Sequence, residues 1–190
     1  PITLYHFAIR NNPIADNLIS LALPTLENIL SKNIDIQLNH DLDLLMIFDT
    51  EANKLQDEEF NSFCIPFVKT IAEKYPNKIG YFTKNISINK FQALKNIKEL
   101  KLTVLGTQHN IFEELPNTKL SLQGNFSNEL LTIDDKNDFK TSLDEYLNLC
   151  LDHSPTHRSG WIASLDHGVQ KITPEANIHL FIDQIRTKLA

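Results

Sequence analysis

A histidine followed by a glycine lies at the end of an apolar run near the carboxyl terminus of this 190-residue sequence. The run, residues 161–165, is short enough for a buried strand, and Asp166, His167 and Gly168 follow it directly. Ligands of α/β folds bind outside the carboxyl ends of strands, so a titratable ring beside a glycine at this place is a site candidate. A single strand-end histidine is also often a structural hydrogen-bonding group, and that interpretation stays open.

Other polar side chains follow apolar runs elsewhere in the chain. Asp49, His109, Asp166 and His167 could be combined into a metal cluster, but their spacing is unlike any short metal-binding motif. We therefore expect no metal at these residues.

The elements that must position these residues alternate along the chain. Six segments have the apolar pattern of strands, over residues 2–8, 44–48, 78–83, 102–105, 119–122 and 161–165. Six have helical spacing, over residues 13–32, 57–75, 89–100, 111–115, 134–150 and 174–189. Pro24 should kink or divide the first helix, because proline removes a backbone donor.

Repeated β-α alternation predicts an α/β fold with parallel strands and right-handed crossovers, in an open sheet or a barrel. The sequence lacks Gly-x-Gly-x-x-Gly and a phosphate loop, which disfavours a nucleotide-binding open sheet. Gly106, Gly124 and Gly168 all fall just past predicted strand ends. A closed barrel usually needs eight strands and ~250 residues. We therefore predict one domain over residues 1–190, an incomplete TIM-barrel-like fold of about six β/α units.

Composition excludes several classes of partner. The net charge is −6, and the lysines are scattered among acidic residues, so no phosphate-binding stripe is present and nucleic acid is not an expected partner. Cys64 and Cys150 lie far apart in the sequence, outside any Cys-x-x-Cys or His-x-Cys spacing, which disfavours a metal site and gives no disulfide framework. No run approaches 18 apolar residues, and the first residues lack a signal-peptide pattern. We expect a cytoplasmic protein with no membrane association.

Several short motifs resemble those of the uroporphyrinogen decarboxylase family, in the same order along the chain. The carboxyl-terminal signature is Leu165-Asp166-His167-Gly168, followed by Thr173-Pro174-Glu175-Ala176-Asn177. Leu122-Gln123-Gly124-Asn125 is identical to the family's Leu-Gln-Gly-Asn. Similar matches occur at Phe48-Asp49-Thr50, Ile65-Pro66-Phe67, Phe82-Thr83-Lys84 and Val104-Leu105-Gly106.

This resemblance implies a β/α barrel enzyme of haem biosynthesis. Such an enzyme removes carboxylates from the acetate side chains of uroporphyrinogen, uses no metal or cofactor, and forms homodimers. The resemblance assigns His167 and Thr50 to catalysis, with His167 contacting a substrate carboxylate or orienting the site. It assigns substrate binding to Asp49, Phe82, Lys84, Gln123 and Asn125. Packing, turn hydrogen bonds or simple solvation remain alternatives for each residue.

The sequence also departs from the family pattern. The family's Arg-Gln-Ala-Gly-Arg segment and its pyrrole-binding aspartate have no counterpart. Thr50 replaces a serine, Asn53 a glycine, Gln108-His109 an Asp-Trp pair, and Asp166 a glycine. A substrate with eight carboxylates calls for arginines and backbone donors, so we expect the chain alone not to decarboxylate it. We also expect a homo-oligomer, because an incomplete barrel leaves strand edges and apolar side chains uncovered.

Two other functions stay open. Corrinoid and thiol methyltransferases share the barrel, but they bind zinc through a His-x-Cys motif and a later cysteine, and the His-x-Cys is absent here. A diverged binding or interaction module, with the fold retained and catalysis lost, agrees with the missing arginines and aspartate.

Overall fold

The computed structural model describes residues 2–3 and 19–189. The chain divides into two compact units, Pro1–Thr103 and Val104–Ala190. That all 190 residues make up one domain stays a prediction. Within the described part of the chain, no helix has the length and apolar character needed to cross a membrane.

The first unit, described over residues 2–3 and 19–103, contains three parallel strands and the helices around them. Its elements are α1 (Ile19–Leu38), β1 (Leu45–Phe48), a 3-10 turn (Thr50–Lys54), α2 (Asp57–Lys74), β2 (Ile79–Phe82), α3 (Ile88–Lys95) and β3 (Leu102–Val104), whose last residue opens the second unit. β2 pairs with β1 on one side and with β3 on the other. All four residues of β2 are buried, as expected for the middle strand of a parallel sheet.

Helix α2 shows how local sequence sets an element of this unit. Gln56 and Glu59 form a capping box at its start, and Tyr75 ends it before Pro76. One helical stripe is buried: Phe60, Cys64, Phe67, Val68, Ile71 and Ala72. These bounds agree with the predicted helix over 57–75.

The second unit, described over residues 104–189, contains two parallel strands and three helices. Its elements are α4 (Ile111–Glu114), a 3-10 turn (Leu115–Asn117), β4 (Ser121–Phe126), a second 3-10 turn (Leu130–Thr132), α5 (Lys136–Leu151), β5 (Trp161–Leu165) and α6 (Glu175–Leu189). β4 pairs with β5 from Leu122 opposite Trp161 to Phe126 opposite Leu165. The core of the unit is formed by Phe126, Leu131, Phe139, Leu143, Leu147 and Phe181.

Two polar residues fix the helices of the second unit. The Asp135 carboxylate caps α5 by accepting hydrogen bonds from the backbone N–H groups of Asn137 and Asp138, at 2.8 and 3.0 Å. The Asn177 amide of α6 is buried and donates to the carbonyl oxygens of Leu131 and Ile133, at 2.9 and 2.8 Å. Asn177 therefore joins α6 to the turn after β4.

Strand β4 lies further along the chain than predicted. We expected a strand over 119–122, with Gln123, Gly124 and Asn125 beyond its end, but all three lie inside β4. Glycine and asparagine disfavour strands locally, yet the ladder to β5 and the buried alternate positions Leu122, Gly124 and Phe126 outweigh that preference.

The first predicted elements are only partly described. Of the strand expected over 2–8, only Ile2 and Thr3 are described, and both are helical, while residues 4–8 lie outside the described residues. Helix α1 runs through Pro24 to Leu38, so Pro24 does not divide the helix and the predicted end at residue 32 is wrong, while a kink at Pro24 stays a prediction. A proline removes one N–H from a helix of 20 residues, and the remaining hydrogen bonds maintain it. The described residues thus contain five strands alternating with helices, which confirms the predicted α/β class.

Candidate functional site

Asp49, at the carboxyl end of β1, is fully buried and hydrogen-bonded. Its carboxylate accepts hydrogen bonds from the backbone N–H groups of Thr3 at 2.7 Å and Ile2 at 3.3 Å, and from the hydroxyl of Tyr81 at 2.9 Å. Burial, followed by the negative charge of Asp49, raises the pKa of Tyr81 well above its ordinary value, so this hydroxyl remains a donor. Asp49 therefore anchors residues 2–3 to the carboxyl end of β1.

Thr50 begins the 3-10 turn that follows β1, and it is half-buried. The next residue, Glu51, donates its N–H to the Thr3 hydroxyl at 3.0 Å. At the far end of the turn, the buried ammonium of Lys90 donates to the carbonyl oxygens of Asn53 and Leu55, at 2.9 and 2.6 Å. The turn that positions Thr50 is thus held at both ends.

Lys90 makes structural contacts that the sequence reasoning missed. Its ammonium also lies 5.6 Å from the centre of the Phe60 ring, within the range of a cation-π interaction. A lysine among the apolar positions of helix α3 was the signal that could have identified it.

Phe82 and Lys84, at the end of β2, differ in solvent exposure. Phe82 is buried, and its ring lies 5.6 Å from that of Phe48, its register partner on β1. Phe48 is 69% exposed, so Phe48 and not Phe82 presents an aromatic surface to solvent. Lys84 is exposed and has no hydrogen-bond or ion-pair partner within the described ranges. Its ammonium is therefore available for an anion.

Gln123 and Asn125 lie on β4 in the second unit. The Gln123 amide donates to the Ser164 hydroxyl on β5 at 3.2 Å. The Asn125 amide donates hydrogen bonds to two carbonyl oxygens in the loop after β3, those of Gly106 at 3.1 Å and His109 at 2.8 Å. Asn125 thus fixes the β3–α4 loop against the end of β4.

Gly124 sits between these two residues with a positive φ of 127°. A Cβ atom added there would lie 2.5 Å from the carbonyl oxygen of Leu105. That oxygen belongs to the same loop that Asn125 binds. The carbonyl oxygen of Gly124 also accepts a hydrogen bond from the Trp161 indole N–H at 2.6 Å. Glycine is therefore required for this close approach of strand and loop.

His167 lies at the carboxyl end of β5, where the sequence placed it, and is half-buried. The residues around it are joined to the end of β4: Asn128 donates its backbone N–H to the Asp166 carboxylate and its amide to the Gly168 carbonyl oxygen, both at 2.8 Å. Two hydrogen bonds from Asn128 thus hold the residues on either side of His167, one through the Asp166 carboxylate and one through the Gly168 backbone.

The predicted site residues fall into two groups. Asp49, Thr50, Phe82 and Lys84 lie at the ends of β1 and β2, where Asp49 donates its N–H to Phe82 at 2.8 Å. Gln123, Asn125 and His167 lie on β4 and just after β5. No group of three or more metal-ligating side chains occurs within residues 2–3 and 19–189.

A cavity of about 390 Å³ lies in the second unit beside Asn125. It is bounded by the β3–α4 loop, the end of β4 and one side of α5; His109, Asn125, Phe126, Glu145 and Tyr146 are among the residues that line it. Neither Gln123 nor His167 borders it. The sequence reasoning named His109 and Asn125 but missed the cavity, because the α5 residues of its wall, such as Glu145 and Tyr146, looked like ordinary surface and core positions.

The cysteines are not activated nucleophiles. Burial raises the pKa of the Cys64 thiol to about 12 and that of the Cys150 thiol to about 11. Both thiols are therefore protonated at neutral pH, in environments that do not favour the reactive thiolate.

Comparison with known proteins identifies the family. The family model for uroporphyrinogen decarboxylase (URO-D) matches residues 13–188, nearly the whole chain. The chain belongs to the uroporphyrinogen decarboxylase family. This membership confirms the resemblance carried by the motifs and the fold class, parallel β/α repeats of an incomplete TIM-barrel-like type.

Three curated relatives named uroporphyrinogen decarboxylase agree with the family match. The protein of Chlorobium phaeobacteroides is 23% identical over 193 aligned positions, which cover 96% of this chain and 52% of the relative. That of Campylobacter lari is 30% identical over 164 positions, covering 82% and 44%. That of Neorickettsia sennetsu is 24% identical over 156 positions, covering 80% and 45%. The chain spans about half the length of these relatives.

Proposed function

We propose that this chain acts in cytoplasmic porphyrin biosynthesis as one part of a cofactor-free decarboxylase that acts on the acetate side chains of uroporphyrinogen. The observation that carries the proposal is the family match over residues 13–188, combined with coverage of about half of each relative. The groups that hold the pyrrole nitrogens and most substrate carboxylates are then supplied by polypeptide outside these 190 residues. The isolated chain therefore does not decarboxylate uroporphyrinogen.

The charges at the described strand ends support an incomplete site. Among the two residues that follow each described strand, the charged or titratable side chains are Asp49, Lys84, Asp166 and His167. Neutral N–H and O–H groups donate to Asp49 and Asp166, and such donors do not cancel the charge of a carboxylate. A substrate with eight carboxylates also needs more cations than one lysine and one histidine.

Within this proposal, the residues have different roles. Lys84 and His167 contact carboxylates, because both side chains can donate hydrogen bonds to anionic oxygens. Thr50 and Gln123 supply neutral polar contacts. Asp49 and Phe82 in the first unit, and Asn125 in the second, each support the strand end of their own unit, since their polar atoms or rings are engaged with protein groups.

A diverged, non-catalytic binding module is the second candidate. It is favoured by the internal engagement of Asp49 and Asn125, two residues that the family resemblance assigns to substrate. The two candidates differ in whether a tetrapyrrole binds at all.

The test combines turnover with tetrapyrrole binding. Purified chain is incubated anaerobically with uroporphyrinogen, and we expect no coproporphyrinogen by chromatography. Uroporphyrin, the oxidised and fluorescent form, is then titrated with the wild-type protein and with Lys84→Gln and His167→Gln. We expect each variant to weaken binding about 2-fold to 5-fold, the range for one partly exposed charged contact.

Lys98→Gln is the matched control for Lys84→Gln, because Lys98 is an exposed lysine of the same unit as Lys84 and lies in the segment before β3. Equal weakening by the control would mean nonspecific attraction. Absence of uroporphyrin binding would support the non-catalytic module. Turnover by the isolated chain that His167→Ala abolishes would overturn the incomplete-site proposal.

We also propose that a second copy of the chain covers the open side of β1. Leu45 and Ile47 are buried while Phe48 is 69% exposed, although parallel strands are normally covered on both faces. Phe48→Ser should shift the protein toward monomer in sedimentation experiments at micromolar concentration. Ile36→Ser, at a 63% exposed position of α1, is the control. A wild-type monomer would contradict the proposal.

A further inference from the structure

The cavity beside Asn125 has a rigid apolar floor. Ile111, Phe112 and Phe126, which line it, are 2%, 5% and 1% exposed. The Phe112 ring stacks on His153 at 4.7 Å, and it meets the edge of the Trp161 ring at 5.1 Å. Phe126 is held in the same way by Phe139, Tyr146 and Phe181. The floor is therefore preorganised and does not need to rearrange to accept a flat ring.

An exposed leucine lies at the mouth of the cavity. Leu149 of α5 is 61% exposed and lines the opening together with Leu130 and the half-buried Tyr146. Single exposed leucines are common on protein surfaces, but this one continues an apolar floor. A small apolar ligand that entered the cavity would remove Leu149 from water.

One carboxylate lines the described part of the cavity. Glu145 lies one helical turn before Leu149, on the same side of α5. Within the described part of the chain, its carboxylate has no hydrogen-bond or ion-pair partner. None of the described residues that line the cavity is a lysine or an arginine, and the imidazoles of His109 and His153 also border it. A bound ammonium would pair with the Glu145 carboxylate.

Two polar side chains of the lining, Asn125 and Tyr146, already use their own hydrogens on protein groups. Asn125 uses both amide hydrogens on Gly106 and His109, which leaves its carbonyl oxygen as an acceptor. The Tyr146 hydroxyl accepts from the Asn125 N–H at 3.3 Å, and its own hydrogen points to the Gly124 carbonyl oxygen at 3.4 Å. These groups favour a ligand that donates hydrogen bonds.

We propose that this cavity binds a small arylalkylamine, with its planar ring over Phe112 and Phe126 and its ammonium at Glu145. The volume of about 390 Å³ lies within the range of small-molecule sites. The ligand carries the opposite charge to the carboxylates of uroporphyrinogen, so the proposal stands without the proposed function.

The experiment compares three probes that share a phenyl ring and a two-carbon chain. Phenethylamine, 2-phenylethanol and 3-phenylpropionate are titrated into the 190-residue chain by protein-observed NMR. We expect phenethylamine to bind about 5-fold more tightly than the alcohol, and the carboxylate more weakly than both. The largest shift changes should fall on Tyr146, Leu149 and His153.

Glu145→Gln should abolish the preference for the amine over the alcohol while retaining binding of the ring. Glu113→Gln is the matched control, because Glu113 is an exposed residue of α4, whose Ile111 and Phe112 line the cavity, and does not line it itself. Leu149→Ser should weaken all three probes. Circular dichroism confirms that the variants are folded.

Three results would overturn the proposal: equal affinity for amine and carboxylate, a preference that survives Glu145→Gln, or absence of phenethylamine binding up to about 10 mM, beyond the affinity of a useful site.

Discussion

The two units use polar residues near their strand ends in opposite ways. In the first unit, Asp49 follows β1 and is enclosed by the amides of Ile2 and Thr3 and the hydroxyl of Tyr81. In the second unit, Asn125 of β4 satisfies the carbonyl groups of a loop, and the loop and strand together border a cavity. The same β/α repeat thus encloses the polar residue Asp49 in the first unit and leaves the polar residue Asn125 beside a cavity in the second.

The difference comes from what fills the space beyond the strand. Residues 2–3 supply donors to Asp49, so that no room remains for a ligand there. Around Asn125, α5 contributes Glu145 and Leu149, whose side chains do not close the space. A strand-end polar residue therefore indicates a site only when the neighbouring elements leave it accessible.

Replacing Asp49 should have the largest effect on stability. Asp49→Ala leaves the N–H groups of Ile2 and Thr3 and the Tyr81 hydroxyl without their acceptor, and we expect a loss of about 3–5 kcal/mol in the free energy of unfolding. Urea denaturation measures it. Asp43→Ala, at an exposed aspartate just before β1, should change stability by less than about 0.5 kcal/mol. Similar values for both variants would mean that Asp49 is not an anchor.

The close approach at Gly124 provides the corresponding test in the second unit. Gly124→Ala places a methyl group 2.5 Å from the Leu105 carbonyl oxygen and requires a positive φ of an alanine, so we expect a loss of about 2–4 kcal/mol. Gly168→Ala is the matched control, because a Cβ atom there meets nothing within 4 Å. Thermal unfolding that gave equal melting temperatures for the two variants would contradict the structure.

Alkaline pH should destabilise the first unit through a buried thiol. Burial raises the pKa of Cys64 from an ordinary value of 9.0 to about 12, so the unfolded chain loses this proton first. The contribution to stability is full below pH 9 and is lost as pH rises from 9 toward 12. Urea midpoints at increasing pH should fall, and less so in Cys64→Ala. A variant with an unchanged slope would show that other groups, such as Tyr81, dominate.

His167→Gln should have the smallest effect on stability. The imidazole is half-buried in a loop that Asn128 holds through backbone atoms and Asp166, so we expect a change of about 0.5 kcal/mol or less. In a longer, active chain, the same substitution should lower activity while the melting temperature stays within a few degrees. Loss of the fold without a separate effect on activity would make His167 a structural residue.

The sequence by itself determined the alternation of elements and the family. Helix α2 could be predicted because its acidic start, its apolar stripe and Pro76 act locally. The family could be recognised because Leu122-Gln123-Gly124-Asn125 and His167-Gly168 are short motifs in a fixed order, and the family match supports that recognition.

Only the tertiary structure decided which polar residues are enclosed and which border open space. Local sequence could not show that Asp49 is bound by residues 46 and 47 positions earlier, or that Lys90 caps a turn 35 residues before it. The prediction from local sequence also placed the end of β4 too early. The ladder to β5 and the contact of Gly124 with Leu105 outweigh the turn preference of Gly-Asn. Hydrogen bonds and packing between distant segments set the accessibility of each side chain, whereas periodicity and capping specify only the element that carries it.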